Sequence, residues 1–275
     1  MTARMTPTSG VSLGIASRDA AVVAEASGVL ERGTTVNVGF IDGEGRDARL
    51  AAVRAVVRAG LVPVAHLSAR RLASEGELAE YLRLLRESAA GSHVFVVGGD
   101  PAVPAGLYAN ALDVIRSRVL EHHGAASVSL GGYPEGHPVI PEPALWAALQ
   151  EKAAVLEEQG RAGEIITQVA LDPDAVLAWI ARVRDRGIAL PIRVGVAGPV
   201  LTGELLGLAK SFGARADHVV AKRYGLGAAD TVATASRFVD VLASRADPAT
   251  HGEVGLHVFT FGSLVRTTEW IAGLG

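Results

Sequence analysis

The stretch EIITQVALDPDAVLAWIARVRDRGIALPIRVGVAG, residues 164–198, decides the fold. It opens on a mostly apolar, β-branched run (164–171), passes through an Ala/Leu/Arg-rich segment of helical period (174–186) and closes on a second apolar run (191–198). That is strand, helix, strand. Neither run alternates apolar with polar residues, so both read as parallel strands covered on both faces. The alternation continues outward in both directions. Runs at VSLGIAS (11–17), TVNVGFI (35–41), LVPVAHLS (61–68), HVFVVGG (93–99), SVSLGGY (127–133) and GLHVFTFG (255–262) bring the strands to eight. Helices are expected at 19–32, 46–59, 74–89, 106–122, 143–159, 200–212, 228–245 and 264–272. The expected fold is α/β, a single-domain (β/α)8 TIM barrel over 1–275, with an extra helical segment between 214 and 254, before the last strand.

Composition agrees with one such barrel. The chain has 275 residues, is 49% hydrophobic and 20% charged, and carries a formal net charge of -3. It therefore lacks the basic surplus of a nucleic-acid binder. The absence of cysteine excludes disulfides, thiolate metal sites and thiol nucleophiles. MTARMTPTSG at the start has no apolar signal core, and no stretch of about 18 uncharged apolar residues occurs. A cytoplasmic protein that meets no membrane is expected. HExxH, Walker A and GxSxG patterns are absent, so neither a protein-bound metal nor an acyl-transfer serine is expected. YGLGAAD (224–230) is half of a dinucleotide fingerprint without a convincing strand before it.

In a barrel of this kind function sits at the carboxyl ends of the strands and in the loops that follow them. Those positions carry His66 and Ser68, Asp100, Tyr133, Glu135 and His137, Gln168, and Thr260. Each has a structural alternative. Asp100 before Pro101 is equally suited to capping a turn. His66 reads alone as a satisfied core histidine, and Gln168 as an amide with structural partners. Tyr133 and His137 in GGYPEGHP (131–138) fit turn packing. Their gathering at one end of successive strands favours a ligand site.

Five segments carry a further signal: AHLSARR (65–71), VVGGDP (96–101), GGYPEGHP (131–138), residues 164–199, and LHVFTFGSLVRTTEWI (256–271). In order, and over most of the chain, they resemble the methylenetetrahydrofolate reductase family. The resemblance implies an eight-stranded barrel that binds a reduced folate in its mouth, usually beside FAD, with NADH or NADPH as reductant. It implies that Asp100 lies close to the pterin and that Gln168 also contacts the folate, with Asp100 and His66 as the catalytic candidates. Tyr133, His137 and His66 match the cofactor pocket, to which Gly98 and Gly99 also belong. A pterin edge rich in N–H donors suits a carboxylate acceptor and an amide.

Three positions depart from the family pattern. Gly14 stands where the family carries a first-strand glutamate that protonates the departing nitrogen, leaving Glu44, Asp42 or His66 as substitutes. Gly98 replaces an arginine and Gly39 a threonine, which weakens the case for FAD and leaves direct hydride transfer from NAD(P)H open. Three functions follow: a methylenetetrahydrofolate reductase-like enzyme, a tetrahydrofolate-dependent methyltransferase or demethylase, and a non-catalytic folate-binding paralogue. The expected partner is a small-molecule folate. Apolar helix faces such as LVRTTEWI (264–271) suit a homo-oligomer as well as the barrel's own core.

Overall fold

The computed structural model describes residues 10–41, 43–213 and 226–274. Its longer strands are β1 (Ser12–Ile15), β2 (Thr35–Val38), β3 (Val62–Ser68), β4 (His93–Val97), β5 (Ser127–Gly132), β6 (Ala162–Val169), β7 (Ile192–Ala197) and β10 (Val254–Phe259). They hydrogen-bond in the order β1-β10-β7-β6-β5-β4-β3-β2 and close into a barrel. The pairs β2–β3, β3–β4, β4–β5, β6–β7 and β7–β10 are parallel. Every strand expected from the sequence is present, and the protein is a (β/α)8 barrel.

Between the strands lie α1 (Val23–Ala26), α2 (Arg46–Arg58), α3 (Glu75–Glu87), α4 (Ala111–Arg116), α5 (Val119–His122), α6 (Glu142–Glu158), α7 (Pro173–Asp185), α8 (Thr202–Phe212), α9 (Ser236–Arg245), α10 (Pro248–His251) and α11 (Leu264–Ala272). The opening stretch folds as its pattern demands. Asp172 caps α7 by accepting from the N–H groups of Asp174 at 3.0 Å and Ala175 at 3.4 Å, Pro173 starts the helix, and its buried face includes Val176, Trp179, Ile180 and Val183.

Three expected helices differ. Residues 19–32 form two 3-10 turns around the single turn of α1, because Ser27 bonds back to the Ala24 carbonyl and Gly28, a poor helix former, follows. The segment 106–122 stays irregular until Asn110 caps α4, and Arg118, at φ 61°, breaks it again before α5. The 228–245 segment is helical only from Ser236, since Val232–Ala233 (β9) pairs antiparallel with Val200–Leu201 (β8). The extra helical segment before the last strand is α9 and α10, while residues 214–225 lie outside the described set.

The chain divides into two compact units, one of Met1–Leu13, Gly132–Ala147 and Ile165–Gly275, the other of Gly14–Gly131 and Ala148–Glu164. In the first, Val169, Leu171, Ala197, Val200, Leu205, Ala209 and Ala233 form a buried cluster. Ser12 Oγ there lies 2.8 Å from His257 Nδ1. In the second, Ser129 donates to Glu164 Oε1 at 2.9 Å and lies 2.8 Å from His93 Nε2. Mutual hydrogen bonding is what makes such buried polar groups tolerable.

Candidate functional site

The unit of Gly14–Gly131 and Ala148–Glu164 holds His66, Gly98, Gly99 and Asp100. Ser68, the last residue of β3, is buried, and its hydroxyl has no hydrogen-bond partner among the described residues. Gly99 passes directly over it: φ is +92°, and a Cβ built there would land on Ser68 Oγ, 3.4 Å from Ser68 Cβ. Only glycine fits both the backbone angle and the space. Asp100 follows and is exposed, and no hydrogen bond among the described residues ties its carboxylate, so it does not cap the next turn. Its side chain is available to a ligand.

His66 packs edge-on against Phe95, with ring centroids 4.6 Å apart. The residue is partly exposed, yet its Nε2 is buried without a partner among the described residues, which do not make it a satisfied core histidine. Burial, and secondarily the charge of Arg49, pull its pKa down to about 4. At pH 7 it is a neutral imidazole, a hydrogen-bonding group in place of a proton reservoir. Arg49 stacks on Phe40 at 4.2 Å and on Tyr81 at 5.0 Å. Gly39 donates its N–H to the Ile15 carbonyl at 2.8 Å, and a Cβ there would meet that oxygen at 3.3 Å. At Gly98 a Cβ would meet nothing within 4 Å. Gly14 lies within β1. The Ser17 N–H, just past that strand, donates to Glu44 Oε2 at 3.3 Å. Asp42 lies outside the described residues.

The other unit holds Tyr133, Glu135, His137 and Gln168. GGYPEGHP leaves β5 at Gly132, where a Cβ would sit 2.7 Å from Trp179 Cη2. Tyr133 and His137 meet edge to face at 5.2 Å. His137 Nδ1 accepts from the N–H groups of Val139 at 3.2 Å and Ile140 at 3.1 Å, which puts the proton of the neutral ring on Nε2. Glu135 Oε1 accepts from Leu171 N–H at 3.1 Å and Asp172 N–H at 2.7 Å, tying this corner to the start of α7. The register of β6 against β7 shifts between Ile166 and Val169. Thr167 Oγ1 fills the ladder there by accepting from Gly195 N–H at 2.8 Å. Such a bulge re-aims the side chain it carries, here Gln168, whose Oε1 accepts from Val169 N–H at 2.9 Å and whose amide N–H groups remain to donate. Thr260, just past β10, is buried.

The sequence did not single out Arg70, Thr167 or the bracing role of Glu135. A bulge leaves no composition signal, and a bond from a carboxylate to backbone N–H groups more than thirty residues away leaves none either. Among the described residues no group of three or more His, Asp or Glu could hold a metal ion, and no helix is long and apolar enough to cross a membrane.

The fold defines the class: a (β/α)8 barrel with polar side chains at the carboxyl ends of its strands. Within that class, the family model for methylenetetrahydrofolate reductase matches residues 34–211, and the chain belongs to that family. Among solved structures it is similar to a protein from Clostridium thermocellum that binds two copies of 5-methyl-5,6,7,8-tetrahydrofolic acid, at 11% identity, over 97% of this chain and 94% of that one, with a TM-score of 0.62. It is also similar to dihydropteroate synthase from Thermus thermophilus (13% identity, 96% and 92% covered, TM-score 0.50). A lyase/mutase-type protein from Burkholderia cenocepacia is a third (16% identity, 97% and 81% covered, TM-score 0.50). At such identities the likeness is one of fold.

Proposed function

We propose that the protein is a folate enzyme that reduces 5,10-methylenetetrahydrofolate to 5-methyltetrahydrofolate with hydride taken directly from NADH or NADPH. The observation that carries this reading is the family match over 34–211, which spans His66, Asp100, Tyr133, His137 and Gln168. The C. thermocellum neighbour lends support, because its ligand is the compound this reaction would produce. Asp100 accepts from the N–H edge of the pterin and Gln168 donates to it. In the reaction the methylene bridge opens at N10, which takes a proton, and the resulting N5 iminium carbon takes the hydride, leaving oxidised nicotinamide.

Position 14 offers no proton. The role passes to Glu44, a carboxyl group held beside the end of β1 by Ser17 N–H. His66 contributes as a neutral hydrogen-bonding group.

The residues present weaken the case for a tightly held FAD: Gly98 brings no guanidinium and Gly39 no hydroxyl, and His137 Nδ1 is occupied by backbone N–H groups. The reading therefore routes no step through flavin. One observation favours a second reading, folate binding or methyl transfer without reduction: Gly14 removes the acid that iminium formation ordinarily uses.

The test is an anaerobic assay with methylenetetrahydrofolate and NADH or NADPH, with and without FAD, in which 5-methyltetrahydrofolate is separated by chromatography. Product without added flavin is the expected result. A folded protein that binds folate and forms no product in any arm would replace the reductase with the second reading.

A further inference from the structure

We infer that Arg70 is the positioning residue for Asp100, an inference that rests on the folate role of Asp100 proposed above. Arg70 sits in the 3-10 turn Ala69–Arg71 that follows β3. The connection from the end of β4 at Val97 to the start of α4 at Ala111 has no regular structure. Arg70 clasps this connection through both its backbone and its side chain. Its N–H donates to the Gly98 carbonyl at 2.9 Å, and its carbonyl accepts from Ala105 N–H at 2.8 Å. The guanidinium does the rest: Nε donates to the Pro101 carbonyl at 2.6 Å, Nη2 to Ala102 at 2.5 Å and Nη1 to Ala109 at 2.8 Å. Asp100 thus lies between two anchors, Gly98 before it and Pro101 after it, while its own side chain bonds to none of the described residues.

Arginine suits this work for a reason that lysine does not share. A planar fork with donors in fixed directions can hold three carbonyls of an irregular loop at once, and being charged it makes each bond stronger than a neutral donor would. Gly106 shows how closely the loop lies on the same turn, since a Cβ there would overlap the Ala73 carbonyl. Losing the side-chain clasp leaves three loop carbonyls without their donors, which frees the stretch that follows Asp100 to shift. A shift of about 1 Å in a positioning group costs on the order of 100-fold.

The experiment is a double-mutant cycle read by binding of 5-methyltetrahydrofolate in calorimetry, with Arg70→Lys, Asp100→Asn and the double variant, each checked for folding by its melting curve. Arg70→Gln is carried in parallel in case the lysine variant melts too low for use. Arg70→Lys is expected to weaken folate binding about 10- to 100-fold with the KM for the nicotinamide unchanged, and to add no further loss once Asp100 is already Asn. A merely structural arginine would weaken binding equally in both backgrounds, so that additive losses, or no loss in Arg70→Lys, would overturn the inference. If Asp100→Asn itself leaves folate binding intact, the folate role of Asp100 falls, and this inference falls with it. If Asp100→Asn weakens binding while Arg70→Lys acts independently, only the inference falls.

Discussion

Replacing Gly99 by alanine tests the geometry that presents Asp100. Two costs arise at this position. At φ +92° an L-residue sits in a region that costs it about 1–2 kcal/mol, and the new methyl group lands on Ser68 Oγ, a forced repacking that costs about 1–3 kcal/mol. Gly99→Ala should therefore lose about 3 kcal/mol in urea denaturation, which for a chain of this size lowers the melting temperature by roughly 6–12 °C. The second cost can be removed by itself. Ser68 Oγ is buried with no partner among the described residues, so Ser68→Ala should stay within about 1 kcal/mol of the parent. The double variant Ser68→Ala/Gly99→Ala should then recover the overlap and keep only the backbone cost, a favourable coupling of about 1–3 kcal/mol. Additive losses in the double variant would refute the reasoning, because they would mean that the methyl group and the hydroxyl never meet. Asp100 is the next residue, so folate affinity should fall in Gly99→Ala and return in part in the double variant.

Other outcomes follow from the same geometry. Glu135→Ala removes the acceptor of two backbone N–H groups and should cost about 2–4 kcal/mol, with faster amide exchange at Leu171 and Asp172 and a smaller effect for Glu135→Gln. Unchanged exchange at both amides would show that this brace does not hold α7. The lowered pKa of His66 makes stability depend on pH. The neutral ring is favoured on folding, so its contribution of up to about 3 kcal/mol is complete above pH 6.5 and disappears as the pH falls from 6.5 toward 4, where the unfolded chain binds a proton that the folded one resists. His66→Phe should flatten the stability profile across that window, and equal slopes in parent and variant would contradict the assignment. Glu44→Gln should lower turnover by about 10²- to 10⁴-fold with folate binding retained, while unchanged turnover would take the proton-donor role away from Glu44.

The barrel was legible because its strands announce themselves twice, by β-branched apolar runs and by their alternation with helical segments. The opening stretch even specifies its own cap, since Asp172 and Pro173 begin α7 where periodicity begins. The elements that were misread share a physical cause. At 19–32, 106–122 and 228–245 composition favours helix, but a side-chain bond, a left-handed residue and a tertiary strand pairing respectively outweigh it. Helix propensity amounts to tenths of a kcal/mol per residue, so a single long-range pairing or local break overrides it. Arg118, in the left-handed region without being glycine, is a break that no pattern of residue types marks.

The polar residues at the strand ends were legible as a set, and the structure divides them by what they already bind. Glu135 and His137 put an acid and an imidazole on one rigid corner. Both spend acceptor capacity on backbone N–H groups, Glu135 on the start of α7 and His137 on its own turn. Tyr133 is packed against His137. The bonds of Glu135 tie GGYPEGHP to the loop that follows Gln168. Asp100 is the reverse case. Its neighbours are held by the Arg70 clasp, while its own carboxylate is exposed and bonds to none of the described residues. A carboxylate on a braced backbone has less main-chain freedom to lose on binding a ligand than one on an unbraced loop. Sequence can nominate Asp100 and Glu135 on equal terms, because the distinction lies in which of them already has its hydrogen bonds filled, and that depends on contacts far apart in the chain.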